Sequence, residues 1–192
     1  MLTRLILIRH GQTQWNLEKR YMGSADLELT ETGKKQAKAV FCKMNTRVVH
    51  RVYSSNKKRA TVFAGIAFPN HTIIKTPALR EMDFGIFEGK TYAGLMSEYP
   101  ELYSAWLKNP FMISIPGGEH PDKFKKRLIK KVNSIIADNP GKTCAVISHG
   151  GCISIIISHL LKTKITWDLI PGLGSVIVLK RKNRKWTKKT YG

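Results

Sequence analysis

The chain has 192 residues, of which 42% are hydrophobic and 24% are charged. That composition is typical of a globular chain with enough apolar mass for one core, and it excludes a disordered, collagen-like or fibrous protein. Lysine and arginine outnumber aspartate and glutamate by 33 to 13, a formal net charge of +20. Such a field attracts polyanions, so nucleic-acid binding is a hypothesis to be weighed, although the basic residues are scattered along the whole chain.

Three further features of the sequence bear on the cellular location of the protein and on the role of its cysteines. The longest apolar run, residues 152–161, is shorter than the roughly 18 residues of a membrane span and contains serine and histidine. The opening residues 1–8 are too short for a signal peptide and lack a small-residue cleavage site, so we expect a cytoplasmic protein. The three cysteines show no C-x-x-C spacing, so neither a disulfide framework nor a cysteine metal site is predicted.

Apolar runs alternate with helical periodicity in the first half of the chain. The first run, residues 5–8, leads into Arg9-His10-Gly11, and Thr30 can cap the helix that follows. The predicted elements are a strand over 5–8, a helix over 30–43, a strand over 51–54, a helix over 57–67 and a strand over 71–75.

The second half continues the alternation. The predicted elements are one or two helices over 91–108 with a break near Pro100, a loop over 110–118, a helix over 121–138, a strand over 143–148, a helix from Gly150, and a terminal hairpin of residues 174–181 and 185–190. Strands that alternate with helices predict a mainly parallel α/β sheet. We expect a single domain over residues 1–192, with a small helical lid around 88–119.

Notable side chains follow three of the predicted strands. They are Arg9-His10-Gly11, Ser54-Ser55 with Arg59, and Ser148-His149-Gly150. Ligands gather at the carboxyl ends of parallel strands, so the two histidines can face each other across a crevice. No H-x-x-x-H spacing is present, and neighbouring arginines repel a cation but suit phosphate oxygens. The pattern therefore predicts an oxyanion cradle and disfavours a metal.

Five ordered sequence blocks resemble those of the histidine phosphatase superfamily, the phosphoglycerate-mutase-like proteins. Residues 7–16, LIRHGQTQWN, are similar to its L-x-R-H-G-[EQ]-T-x-x-N signature. The other blocks are YSSNKKRA at 53–60, LREMDFGIFEG at 79–89, PGGE at 116–119 and SHGG at 148–151. The resemblance covers nearly the whole chain and implies a three-layer α/β/α sandwich.

Roles for individual residues follow from that resemblance. It implies that His10 becomes a phosphohistidine, that Arg9, Arg59 and His149 hold the phosphoryl oxygens, and that Glu81 protonates the leaving alkoxide and then helps a water to attack. The residues expected to contact substrate are Asn16, Gly11, Thr13, Gly23 and Gly150. No cofactor and no required metal are implied.

Several nearby residues have simpler interpretations. We expect Ser54 and Ser55 to end a strand and cap the next helix, and Glu88 to act structurally at the Gly89 turn. Aromatic and methionine side chains at helical spacing are expected to pack under the lid, namely Tyr92, Met96, Tyr99, Tyr103 and Trp106. His50, His71, His120 and His159 show no partner pattern.

The segment 82–89, MDFGIFEG, is similar to the small bacterial phosphatases, which include the α-ribazole phosphatases of cobalamin assembly. The implied function is a phosphomonoesterase acting on a small anionic phosphoester, with α-ribazole phosphate as one candidate. Ser154 stands where several α-ribazole phosphatases carry arginine, which leaves the substrate open. Two alternatives stay open, a phosphoglycerate mutase and a nucleic-acid-binding protein on an inactive phosphatase fold. Nucleic acid and membrane are not expected partners, and a homodimer is left open.

Overall fold

The fold is built on a mainly parallel sheet. The computed structural model describes residues 3–44, 46–183 and 185–190, and only the backbone of residues 47, 189 and 190. The strands in these ranges are β1 Thr3–Arg9, β2 Arg51–Ser55, β3 Ile73–Thr76, β4 Thr143–Ser148, β5 Val176–Lys182 and β6 Lys185–Thr190. They form one sheet in the order β3-β2-β4-β1-β5-β6. The first four strands pair in parallel, and β5 and β6 add an antiparallel hairpin beside β1.

Helices cover both faces of the sheet. They are α1 Gln14–Leu17, α2 Glu31–Lys43, α3 Lys58–Ala67, α4 Tyr92–Glu98, α5 Pro100–Lys108, α6 Pro121–Ala137 and α7 Gly150–Leu161. Val40 of α2 and Phe63 of α3 are buried in one apolar cluster, and Phe124 of α6 and Ile153 of α7 are buried in a second. Because the sheet lies between the two clusters, the prediction of a three-layer α/β/α sandwich is confirmed.

The apolar run that forms β4 is explained by burial on both faces. All six of its residues are buried. Cys144 and Val146 belong to the cluster with α6 and α7, whereas Ala145 and Ile147 belong to the cluster with α2 and α3. Successive side chains of a strand point to opposite faces, so a strand covered on both sides has no polar face to show in its sequence.

Two glycines hold the loop after β1 against the start of α2. The Thr30 hydroxyl accepts a hydrogen bond from the Gly33 amide at 3.1 Å and caps α2 as predicted. A Cβ at Gly11 would lie 2.5 Å from the Gly33 carbonyl oxygen, and a Cβ at Gly33 would lie 2.3 Å from the Gln12 carbonyl oxygen. Only glycine permits this backbone contact, which places the loop that begins at His10.

The start of α3 differs from the expectation that Ser54 and Ser55 would cap it. The Lys58 amide instead donates to the carboxylate of Asp26 at 2.7 Å, and the residue before the helix, Lys57, makes no side-chain cap. A carboxylate from a distant loop therefore replaces the local serine. The two serines do not cap the helix itself, so the expected capping role was wrong; the Ser55 hydroxyl accepts from the amide of Lys57, the residue before α3, at 3.3 Å.

The segment 88–119 contains α4 and α5, separated at Pro100 as predicted. Its Leu95, Tyr103 and Trp106 are buried in the same apolar cluster as α6 and α7. Its behaviour as a lid stays a prediction. Across the described ranges, every helix is too short or too polar to cross a bilayer.

Candidate active site

Two histidine rings meet at the carboxyl ends of β1 and β4. The His10 amide donates to the Ser148 carbonyl oxygen at 3.0 Å, which carries the pairing of these strands one residue further. The rings of His10 and His149 lie with their centroids 5.0 Å apart at an interplanar angle of 63°. Adjacent parallel strands end at the same edge of a sheet, so residues 139 positions apart in the chain become neighbours.

A cavity of about 230 Å³ opens beside these rings. Its polar lining includes Arg9, His10, Asn16, Glu81, His149 and the glycines at the start of α7. Its apolar lining is largely aromatic and includes Met22, Phe84, Trp106, Phe111, Phe124 and Trp167. Trp106 therefore lines the cavity as well as packing in the core, which extends the role expected for it.

The hydrogen bond made by His10 determines which ring nitrogen is available. Its Nδ1 lies 2.7 Å from the Gly11 carbonyl oxygen, and since a carbonyl can only accept, Nδ1 carries the proton in the neutral ring. Burial, followed by the charges of Arg59 and Arg9, holds the pKa of His10 well below its usual value. The ring is therefore neutral, with an unprotonated Nε2 suited to nucleophilic attack.

His149 is held between Ser55 and Arg59. The Arg59 Nε donates to Nδ1 of His149 at 3.3 Å, so Nε2 carries the proton and donates to the Ser55 hydroxyl at 2.9 Å. Burial and the charge of Arg59 place the pKa of His149 well below its usual value. The contact of Ser55 was missed from the sequence, because a serine at a strand end resembles a helix cap.

Arg59 itself lies behind the cavity wall. Its side chain is fully buried, and its Nη1 and Nη2 donate to the carbonyl oxygens of Ala25 at 2.5 Å and Gly23 at 2.8 Å. Burial lowers its pKa from the usual arginine value. Four of the five predicted catalytic residues line the cavity directly, whereas Arg59 reaches it through His149.

Arg9 follows the same strand as His10 and lines the cavity. Its Nη1 donates to the Pro171 carbonyl oxygen at 2.7 Å, and burial lowers the pKa of its guanidinium. Gly150, the first residue of α7, also lines the cavity, and a Cβ there would lie 3.4 Å from the Arg9 Cζ. Arginine and helix start thus form one electropositive end of the cavity.

Glu81 reaches the cavity from the segment that follows β3. Its Oε1 accepts from the Met82 amide at 3.1 Å, and its Oε2 accepts from the Gly151 amide at 2.9 Å. Burial raises the pKa of this carboxyl, although the two amides, Arg9 and Arg59 oppose the rise. A Cβ at Gly151 would lie 2.7 Å from Oε1, so glycine is required for this approach, a role that the S-H-G-G block did not reveal.

The residues expected to contact substrate divide into two groups. Asn16 and Gly150 line the cavity, whereas Thr13, Gly11 and Gly23 are not among its lining residues. Thr13 is fully buried, and its amide and hydroxyl both donate to the Asn16 Oδ1 at 3.0 Å. That arrangement leaves the Asn16 side-chain NH₂ to face the cavity as a donor.

Glu88 organises the loop that binds Arg59. Its Oε1 accepts from the amides of Gly23 at 2.9 Å and Ser24 at 2.7 Å, and from the Phe84 amide at 3.2 Å. The contacts agree with the structural role expected for Glu88 at the Gly89 turn, and they extend that role to the Gly23 loop. The remaining histidines bond away from the cavity, and these are His50, His71, His120 and His159.

The two buried histidines make stability sensitive to acid. Their folded-state pKa values lie below the unfolded value of about 6.5, so the unfolded chain binds more protons as the pH falls below that value. We expect the free energy of unfolding to fall by up to about 1.4 kcal/mol per pH unit for each histidine. Thermal melting between pH 7.5 and 5 measures this. His149→Asn should flatten the profile, whereas the control His159→Ala, which lies away from the cavity, should leave it unchanged; equal slopes in all three proteins would refute this account.

Comparison with known families agrees with this fold and geometry. The model of the histidine phosphatase superfamily (branch 1) matches residues 5–192, and the chain belongs to that family. A solved structure described as a putative α-ribazole-5'-P phosphatase from Escherichia coli K-12 superposes with a TM-score of 0.89 and 27% identity, over 98% of this chain and 95% of that one. The expected phosphoglycerate-mutase-like fold is confirmed.

Two relatives in sequence are phosphatases. Phosphoserine phosphatase 1 of Hydrogenobacter thermophilus is 31% identical over 150 residues, which cover 77% of this chain and 71% of that protein. An adenosylcobalamin/α-ribazole phosphatase of Salmonella typhimurium is 32% identical over 164 residues, which cover 82% and 79%. The chain is accordingly an enzyme of the phosphatase type, a phosphoric monoester hydrolase.

Proposed function

We propose that the protein hydrolyses a small phosphomonoester in two phosphoryl transfers through a phosphohistidine at His10. The observation that carries the proposal is a buried, neutral His10 whose Nε2 is unprotonated, in one cavity with Arg9, His149 and a carboxyl of raised pKa at Glu81. Covalent catalysis divides one difficult hydrolysis into two easier steps.

In the first step the His10 Nε2 attacks phosphorus. An N–P bond forms while the P–O bond to the leaving group breaks, and Glu81 gives its proton to the departing alkoxide. Arg9, the Asn16 side-chain amide and the backbone amide of Gly150 at the start of α7 stabilise the phosphoryl oxygens, since these donors need no reorganisation at the moment of reaction. The raised pKa of Glu81 supports this acid role, because the carboxyl must be protonated beforehand.

In the second step water attacks the phosphohistidine. Glu81, now a carboxylate, accepts a proton from the water as the new P–O bond forms and the N–P bond breaks. Inorganic phosphate leaves, and His10 returns to its neutral form. We assign His149, which lines the cavity beside His10, to the phosphoryl oxygens, with its Nε2–H turning from the Ser55 hydroxyl to the phosphoryl group. The 3.3 Å contact from Arg59 to Nδ1 supports a role for Arg59 in fixing the ring.

The cavity wall favours a leaving group with an apolar or flat body. Phe84, Trp106, Phe111 and Trp167 are among its lining residues, and aromatic faces pack well against rings. Glu81 is the single carboxylate among the described lining residues, so no second acid is there to hold the ammonium of phosphoserine. These features support an α-ribazole phosphate-like ester, which carries a ring, over phosphoserine.

A panel of phosphoesters tests the proposal. We expect release of phosphate from p-nitrophenyl phosphate without added metal and in the presence of a chelator, and a higher kcat/KM for α-ribazole phosphate than for phosphoserine. With 3-phosphoglycerate, phosphate release should outpace isomerisation. Isomerisation that is faster than hydrolysis would favour the mutase alternative. Loss of activity on chelation would contradict metal-independent catalysis.

The net charge of +20 motivates the nucleic-acid alternative. Binding by phosphate contacts weakens steeply with salt. Steeply salt-dependent binding of nucleic acid together with undetectable hydrolysis of p-nitrophenyl phosphate would support that alternative. If the charge instead concentrates anionic substrate, added salt should lower kcat/KM more than kcat.

Location and assembly belong to the same proposal. A cytoplasmic location is supported by the three cysteines, which are free and form no disulfide framework. Cell fractionation tests it. Light scattering of the purified chain distinguishes a monomer from a homodimer.

A further inference from the structure

The segment that carries Glu81 is held by one arginine from α6. The Nη1 of Arg127 donates to the carbonyl oxygens of Ala78 at 3.0 Å and Arg80 at 2.8 Å, and its Nη2 donates to that of Glu81 at 3.0 Å. Three of four consecutive carbonyls thus point at a single guanidinium. The planar fork of arginine can satisfy several acceptors at fixed angles, which a lysine cannot do.

The fourth carbonyl is also bound, from the other side. The Ser148 hydroxyl donates to the Leu79 carbonyl oxygen at 2.8 Å, and the thiol of Cys152 donates to that of Arg80 at 3.0 Å. Ser148 ends β4 and Cys152 lies in the first turn of α7, the two elements that precede and follow His149. The segment 78–81 is therefore fixed between α6 and the histidine side of the cavity.

Arg127 is in turn fixed by Glu119. The Arg127 Nε and Nη2 each lie 2.7 Å from one oxygen of the Glu119 carboxylate, a two-point pair. Both side chains are largely shielded, with 23% and 20% of their surface exposed. Neither residue lines the cavity, so a contact with the phosphoryl group is not what this pair offers.

We propose that Arg127 and Glu119 are positioning residues that aim the carboxyl of Glu81 at the leaving-group oxygen. The inference rests on the proposed role of Glu81 as the acid. The pair holds the Glu81 backbone, and the amides of Met82 and Gly151 hold its carboxyl, so main chain and side chain are both fixed. Proton transfer needs hydrogen-bond geometry, and a displacement of about 1 Å can cost about 100-fold in rate.

The test is whether the loss of kcat/KM depends on the leaving group, because a purely structural role would lower kcat/KM equally for all esters. An alkyl phosphate needs its leaving oxygen protonated, whereas p-nitrophenolate departs without a proton. We expect Arg127→Lys and Glu119→Gln to lower kcat/KM for an alkyl phosphate by about 10-fold to 100-fold, and for p-nitrophenyl phosphate by less than about 3-fold. Glu31→Gln is the matched control, because it breaks an exposed ion pair with Lys34 on α2, and it should alter neither rate.

Cysteine reactivity gives a second readout that needs no turnover. The Cys152 thiol donates to the segment 78–81 and is the probe of that segment. Buried Cys144, at the opposite end of β4, is the control for the rest of the fold, and exposed Cys42 shows that the reagent is active. With a thiol reagent and peptide mapping, we expect Cys152 to react at least about 10-fold faster in Arg127→Lys, while Cys144 stays protected. Selective exposure would show local loosening of the segment that carries Glu81.

Equal losses on both substrates overturn the inference, as do unchanged rates. Reaction of Cys144 together with Cys152 in both variants also overturns it, since the pair would then support the whole fold. A wild-type protein that hydrolyses neither ester contradicts the proposed function instead. In that case, continued protection of Cys152 in the Arg127 and Glu119 variants would independently show that this pair does not hold the segment 78–81.

Discussion

Replacement of His10 by alanine is expected to lower kcat by a factor of about 10⁴ or more, because the only proposed nucleophile is removed while the oxyanion donors remain. The buried ring contacts Gly11 and stacks edge-on near His149, so a small cavity is left and KM should change much less than kcat. Steady-state kinetics with p-nitrophenyl phosphate measures both constants.

The same variant should fail to trap the covalent intermediate. Wild-type protein quenched during turnover of a labelled phosphoester is expected to carry an acid-labile phosphoryl group on the peptide that contains His10. His159→Ala, which removes a half-buried histidine bonded to Asn133 away from the cavity, is the matched control and should trap normally. Full activity of His10→Ala, or a label on another peptide, would refute the phosphohistidine mechanism.

Replacement of Glu81 by glutamine is expected to lower kcat/KM for alkyl phosphates by about 10²-fold to 10⁴-fold, the usual contribution of a general acid. The loss for p-nitrophenyl phosphate should be smaller, since its leaving group departs without a proton. Glutamine keeps the shape of the side chain, so the substrate dependence of the loss reports the missing proton. Equal losses for both esters would contradict the acid role.

The pH profile of the first step follows from the two shifted groups. The lowered pKa of His10 keeps the nucleophile neutral into acid, and the raised pKa of Glu81 keeps the acid protonated above the usual carboxyl range. The kcat/KM should therefore fall on the alkaline side as Glu81 loses its proton. That alkaline limb should disappear in Glu81→Gln, and its persistence there would assign it to another group.

Stability should shift with pH in the same variant. The raised pKa means that folded Glu81 holds its proton where the unfolded chain has lost it, so its contribution to folding declines as the pH rises through that interval. Glutamine does not titrate. The melting temperature of Glu81→Gln relative to wild type should therefore become more favourable as the pH rises from 4 toward 7, and a constant difference would contradict this.

Local elements were predictable because each is encoded by neighbouring residues. The double-sided burial of β4 appears as a continuous apolar run, and the start of α2 appears as the Thr30 cap. The break at Pro100 follows from the missing amide of proline. The start of α3 was predicted with the wrong cap, since the Asp26 carboxylate that binds Lys58 comes from 32 residues earlier in the chain.

The residues of the candidate site were predictable from the sequence, but which of them line the cavity was not. The sequence blocks identified His10, His149, Arg9 and Glu81, and all four line one cavity. Nothing in them distinguished Arg59, which reaches the cavity through His149, from Arg9, which lines it. The aromatic wall was also hidden, because Trp106 occupies a helix face whose spacing is the same whether it packs in a core or borders a cavity.

By itself, the sequence determined the order of the strands and of every α-helix except the four-residue α1, the family, and the residue types that meet at the strand ends, because periodicity and motif spacing are local properties of a chain. Only the tertiary structure determined which distant residues form hydrogen bonds with each other. Ser55 and His149 are 94 residues apart in the chain, Gly151 and Glu81 are 70 apart, and Arg127 and Glu81 are 46 apart. Hydrogen bonds of that range depend on how layers pack, and packing leaves no period in the sequence.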